Sequence, residues 1–153
     1  MNRLDEFTIL MNKVYDAARA IHKYESKPRH YGTNELLYMA EMHLLDIIYN
    51  NDGITVTELA ELAHRTKSAI TQTTNKLEKK GLIEKKTNKT YHKEINLTMT
   101  EVGIEACKYH IQLDQETYIE ALESFKDLKV EDFHMLGDFY EKLAEIVKKN
   151  NEK

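Results

Sequence analysis

Lys67, Ser68, Thr71, Gln72, Asn75 and Lys76 recur at helical spacing along one stretch of the chain. They put short hydroxyl, carboxamide and ammonium groups on one side of a helix. Ile70, Thr73, Thr74 and Leu77 follow the opposite, inward spacing. Hydroxyls and carboxamides both donate and accept hydrogen bonds, and lysines seek phosphate oxygens, so this face suits the base edges and backbone of a nucleic-acid duplex. Thr71 and Gln72 are the candidates for base readout, with Asn75 beside them. Thr66, Lys67, Ser68, Lys76 and, farther along, Lys89 are the candidates for phosphate contacts.

Other reactive side chains are scattered. Seven histidines occur, and His110 with Asp114 forms an i,i+4 pair on a long helical stretch, a spacing that can chelate a metal. His43 lies on an earlier helix. No Cys/His cluster and no HExxH accompany them, and dispersed histidines serve more often as caps or core residues. Cys107 has one lysine beside it and no second cysteine to resolve an oxidised sulfur, so a structural role is expected. The chain has no GxSxG, no glycine-rich phosphate loop and no spaced Cys/His pair, so neither catalysis nor a cofactor is expected.

The elements that must position the polar helix are marked by local signals. Thr55-x-x-Glu58 is a capping box that starts a short helix whose apolar side is Val56, Leu59, Ala60, Leu62 and Ala63. Thr66 is the N-cap of the polar helix, which runs to about Lys80, and Gly81 ends it. Two period-two runs follow, Leu82-Ile83-Glu84-Lys85-Lys86 and Lys93-Glu94-Ile95-Asn96-Leu97, joined by turn residues, and they predict a hairpin. Helix, turn, helix and hairpin in that order make a winged helix, with the second helix entering a major groove. Upstream, Leu4, Phe7, Met11, Val14, Ala18 and Ile21 form a narrow stripe on a helix over 3–25, and Pro28 sits in a loop. The stretch from Glu35 to Tyr49 is apolar on nearly every side and predicts a buried central helix, ended by Asn50-Asn51-Asp52-Gly53. Downstream, Thr98-x-x-Glu101 reads as a second capping box, opening a helix to about Phe125, and a last helix spans about Val130 to Lys149.

At 153 residues the chain is expected to form one domain: an N-terminal dimerisation helix and loop over 1–34, the winged helix over 35–98, and C-terminal dimerisation helices over 99–153. The fold class expected is mainly α with a small β-hairpin wing. The formal net charge of −4 is unevenly divided. Residues 64–93 hold nine basic and two acidic residues, a net +7, while the remaining thirteen basic and twenty-four acidic residues leave −11. A basic unit on an acidic body is steered onto DNA by one face. The acids of the N-terminal MNRLDEFTIL exclude a signal-peptide reading, no apolar run suits a membrane, and one cysteine fits a reducing cytoplasm. Three amphipathic helices outside the winged helix call for a second copy of the chain, which would offer two reading helices to a pseudo-palindromic duplex.

The run ELA…TKSAITQTTNKLEKKGLIEKK…INLTMTEVG resembles the multiple-antibiotic-resistance regulator (MarR) family of bacterial repressors, most closely at Leu77-Glu78-Lys79-Lys80-Gly81-Leu82-Ile83-Glu84 and Leu97-Thr98-x-x-x-x-Gly103. The resemblance implies a repressor released by a small effector, with an apolar or acidic ligand held between the dimer helices and the DNA unit. Candidate lining residues are Tyr15, His22, Tyr38, Met42 and His43, with Met39 beside them; core packing is the competing account of each. Glu41-Met42-His43 is similar to the fatty-acid-synthesis branch of the family. Zinc-responsive members draw His and acidic ligands from the helices that carry His43, His110 and Asp114 here. The family's wing-tip arginine has no counterpart in Lys89-Thr90-Tyr91, so the resemblance leaves the wing only the phosphate contact of Lys89.

Overall fold

In a computed structural model, residues 2–87 and 94–151 are described. Lys89, Thr90 and Tyr91, the expected wing tip, lie outside the described residues. The elements are α1 (Arg3–Glu25), α2 (Met39–Asn50), α3 (Val56–Leu62), α4 (Lys67–Lys79), β1 (Ile83–Thr87), β2 (Ile95–Met99), α5 (Glu101–Glu123) and α6 (Val130–Asn151). This is the mainly helical, hairpin-bearing architecture that the local signals predict. Two compact units emerge, Met1–Gln112 and Leu113–Lys153, with the boundary inside α5.

The core of the first unit is made by Leu37, Met42, Leu45 and Ile48 from α2 and its approach, Leu59 from α3, Ile70 and Leu77 from α4, and Leu82, Ile83 and Leu97 from the hairpin, all essentially buried. Each large apolar side chain so buried contributes about 1.5–3 kcal/mol. Thr55 caps α3 as expected. Glu58 N donates to Thr55 Oγ1 at 3.2 Å, and the Thr55 amide donates to Glu58 Oε2 at 2.8 Å. The backbone bond first, then the hydroxyl, hold the Glu58 carboxyl below its usual range. Leu62, expected on the apolar side of α3, is instead exposed, because the helix ends there and the chain turns away through His64 at φ 51°.

The hairpin is antiparallel, pairing Ile83 with Met99 and Lys85 with Leu97. The segment before α3 extends it: Leu97 N donates to Ile54 O at 2.8 Å, Gly53 N donates to Leu97 O at 3.0 Å, and Thr55 bridges Asn96. This ladder changes one expectation. Thr98 is held extended opposite Glu84, so it cannot cap a helix; Thr100 caps α5 instead, its hydroxyl accepting from Gly103 N at 3.1 Å and donating to Gly81 O at 2.6 Å. Gly103 is there because a Cβ would stand 2.1 Å from the Leu82 carbonyl oxygen, a distance no side chain tolerates.

The central helix begins four residues later than the apolar run suggests. Leu37 pairs with Arg29 through N–H···O bonds of 2.8 and 2.9 Å, which keeps residues before α2 extended. Glu41, in the first turn of α2, accepts from the Tyr38 amide at 2.9 Å. The same carboxylate receives Lys80 from the end of α4 at 2.8 and 2.9 Å, and Lys80 also donates to Leu36 O at 2.8 Å. Behind α2, Asp46 Oδ2 lies 3.1 Å from His110 Nδ1, and Cys107 is fully buried beside them. Burial first, then the charge and hydrogen bond of Asp46, push the Cys107 thiol up from 9.0 to about 12.

Outside this core the helices are bare. No residue of α1 is buried, and Leu4, Phe7 and Ile21 of its stripe are exposed. In the second unit Ile119, Leu122, Met135, Leu136 and Ile146 are exposed as well.

Replacing Glu41 with Ala should cost about 3 kcal/mol or more, because it strands the Lys80 ammonium and uncaps α2; urea unfolding followed by circular dichroism measures it. The raised thiol pKa favours the folded state below pH 9.0, and that contribution is lost as the pH climbs toward about 12. Alkylation of Cys107 by iodoacetamide at pH 8.5 should therefore run at least about a hundredfold slower in the folded protein than in denaturant; mass spectrometry of timed samples reads it.

Candidate nucleic-acid interface

α4 is held at both ends and along one side. At its start Thr66 Oγ1 accepts from Ala69 N at 3.3 Å, and at its end Gly81 takes the left-handed conformation, φ 70°, that glycine adopts at little cost. Ile70, Thr74 and Leu77 are buried beneath it, and Thr73, half-buried, donates its hydroxyl to Ala69 O at 3.0 Å. On the other side Lys67, Ser68, Thr71, Gln72, Asn75 and Lys76 are all exposed, as is Thr66. The spacing read from the sequence thus divides the helix into the two faces expected of it.

The hydrogen bonds within the face limit what each group can offer. Thr71 Oγ1 donates to Lys67 O at 2.8 Å, so its proton is spent and it presents only lone pairs and a methyl group. Such a threonine accepts from an exocyclic amine or packs on a thymine methyl. Asn75 Oδ1 is engaged by Lys85 Nζ, which also lies 3.7 Å from Glu78 Oε2. Gln72 and Ser68 make no side-chain hydrogen bond among the described residues and keep their full capacity for a ligand.

Two clefts flank α4. One, of about 220 Å³, lies between the first turn of α3, α4 and the hairpin, where Thr57, Lys67, Thr71, Asn75, Lys85 and Ile95 converge. The other, of about 430 Å³, is lined by Tyr38, Arg65, Thr73, Lys76 and Lys80. Thr57, Lys85, Arg65 and Tyr38 belong to this face by position although the helical spacing of α4 did not select them. Arg65 and Lys85 fall in the basic stretch, which was the available signal; nothing local marks Thr57.

The residues expected around an effector are dispersed in depth. Met42 is fully buried in the α2 core, Tyr15 and His22 are exposed on α1, His43 is exposed on α2, and Tyr38 lines the cleft beside Arg65 and Lys76. The rings of His43 and His110 stand 6.1 Å apart, and His110 Nδ1 is turned to Asp46. Among the described residues no group of three or more His, Cys, Asp or Glu is gathered so as to hold a metal ion. No helix among them is long and apolar enough to cross a membrane.

Residues 37–94, from the approach to α2 through β1 and up to the start of β2, match the model of the MarR family. No curated protein matches the sequence. Solved structures do. DNA-bound FabT of Streptococcus pneumoniae superposes with a TM-score of 0.70 at 16% identity, covering 95% of this chain and 98% of its own. ZitR of Lactococcus lactis, a zinc-responsive MarR family member, gives 0.66 at 22% identity over 90% and 99%. PcaV of Streptomyces coelicolor, a transcriptional regulator solved with its natural ligand, gives 0.64 at 13% identity over 89% and 89%. With the family model on residues 37–94 and this fold shared along most of the chain, the protein has a winged helix-turn-helix fold whose residues 37–94 are similar to the MarR family.

Proposed function

We propose that this chain is a homodimeric, sequence-specific DNA-binding transcriptional regulator, acting as a repressor, that sets one α4 in each half of a pseudo-palindromic duplex site. The observation that carries the reading is the outward row of Lys67, Ser68, Thr71, Gln72, Asn75 and Lys76 on a helix whose opposite side is locked into the core. Gln72 and Thr71 read base edges; Thr66, Lys67, Ser68, Lys76 and Lys89 hold phosphates. The DNA complex of FabT, a protein of the same fold, supports this use of the face.

The second copy is argued from exposed apolar surface. Leu4, Phe7, Ile119 and Met135 stand in water on helices that the winged helix does not need, more than a monomer ordinarily leaves bare. Covering them with the same helices of another copy makes the whole chain one functional domain and brings two reading helices to one site. The DNA unit would then be released by a small apolar or acidic ligand that prefers a dimer with its reading helices displaced; equal affinity for both forms would change nothing. The ligand-bound state of PcaV supports a ligand-controlled reading over an unregulated one.

Light scattering at micromolar concentration should return about twice 18.0 kDa; a monomer would refute the dimer. Selection from random duplexes should enrich a two-fold symmetric motif, and failure to enrich any would mark an architectural binder. Gln72→Ala should weaken binding by about 1–3 kcal/mol and relax preference at one position per half-site.

A further inference from the structure

We propose that Lys85 is a positioning residue that sets the base preference of Asn75: it holds the carboxamide oxygen, so that Asn75 meets DNA through its NH₂ group alone. This rests on α4 being the reading helix.

Lys85 lies in β1, and its side chain is only 13% exposed although it belongs to the most basic stretch of the chain. Its ammonium is directed at α4, where Asn75 and Glu78 share one side at i,i+3 spacing. An ammonium has three donors and no acceptor, so the amide can face it only with Oδ1, never with the nitrogen. Glu78 Oε2 at 3.7 Å adds a countercharge that keeps the lysine there. Asn75 remains exposed, and its NH₂ donates to no other group among the described residues.

A free asparagine recognises adenine with both halves of its amide, the oxygen accepting from N6 and the nitrogen donating to N7. Asn75 keeps a second lone pair on Oδ1, but with that oxygen drawn to Lys85 on β1 it no longer offers both halves of the amide to one adenine edge. What it can still read is a pure acceptor edge: guanine O6 and N7, or thymine O4. The Lys85 side chain, 13% exposed and turned to Asn75 and Glu78, is committed to the protein and is expected to supply no phosphate contact, so it should release no counterion when DNA binds. Lys85 thereby shapes specificity without adding to the electrostatic part of affinity.

The test uses the full-length protein, selection from a random duplex pool, and affinity on the selected site across a salt series. Lys85→Met should move preference at one position per half-site toward adenine by about fivefold or more. Its salt slope should equal that of the unaltered protein. Lys85→Arg should restore the original preference. Asn75→Ala should flatten that same position and make a further Lys85→Met silent. Asn75→Asp, isosteric and safe for folding if Lys85→Met unfolds, should turn the position toward cytosine or adenine, which offer amine donors. An unchanged position in Lys85→Met or Asn75→Asp would overturn the proposal. So would a uniform loss of affinity in Lys85→Met with the slope reduced by roughly one ion per chain, the mark of a phosphate contact. If Gln72→Ala alters its own position and these variants do not alter theirs, the positioning role fails while the reading helix stands. If no motif is enriched at all, both fail.

Discussion

The ammonium of Lys80 ties three parts of the chain at one point: the end of α4, the carboxylate that starts α2, and the carbonyl of Leu36 in the extended segment before it. Each partner needs the others. Glu41 is nearly buried and would be a stranded charge without the lysine; the Tyr38 amide would lose its acceptor without Glu41. Because α4 reaches the core only through one side, the tilt of its polar face is set by this tie at one end and by the buried Ile70, Thr74 and Leu77 along its inner side. The orientation of the whole candidate reading surface follows from those anchors.

Much of this was legible in the sequence because the signals are local. A threonine three residues before a glutamate, a threonine before a lysine-rich helix and a glycine after it specify α3 and α4 through bonds within one turn of chain. The expectations that moved are those where a distant segment competes. Residues 35–38 had helical composition but pair with Arg29, and Thr98 had a capping pattern but is held in the ladder opposite Glu84. Pairing partners far along the chain leave no trace in a local window.

The charge count shows a similar limit. Nine basic residues over 64–93 suggest nine hands for phosphate, yet Lys80 and Lys85 are turned inward to Glu41 and to Asn75 and Glu78. A positive stretch therefore overstates the contacts it can make with a polyanion, and the excess does structural work. The effector candidates were chosen by residue type, and type does not report depth: Met42 is at zero exposure while Tyr38 stands by the reading helix.

The order of the small sheet has a consequence for how copies of the chain can meet. β2 lies between β1 and the short segment that bridges it at Thr55, so both its edges are occupied. β1 is left as the outer strand, and among the described residues no strand pairs with its far side. An open edge invites another chain to add a strand, yet this one is five residues long and carries Glu84, Lys85 and Lys86 in succession. A second copy pairing there antiparallel about Lys85 would bring two lysines face to face at the centre of the new ladder, and charged side chains on so short an edge disfavour such pairing. Sheet extension is thereby disfavoured as a way for copies of this chain to associate.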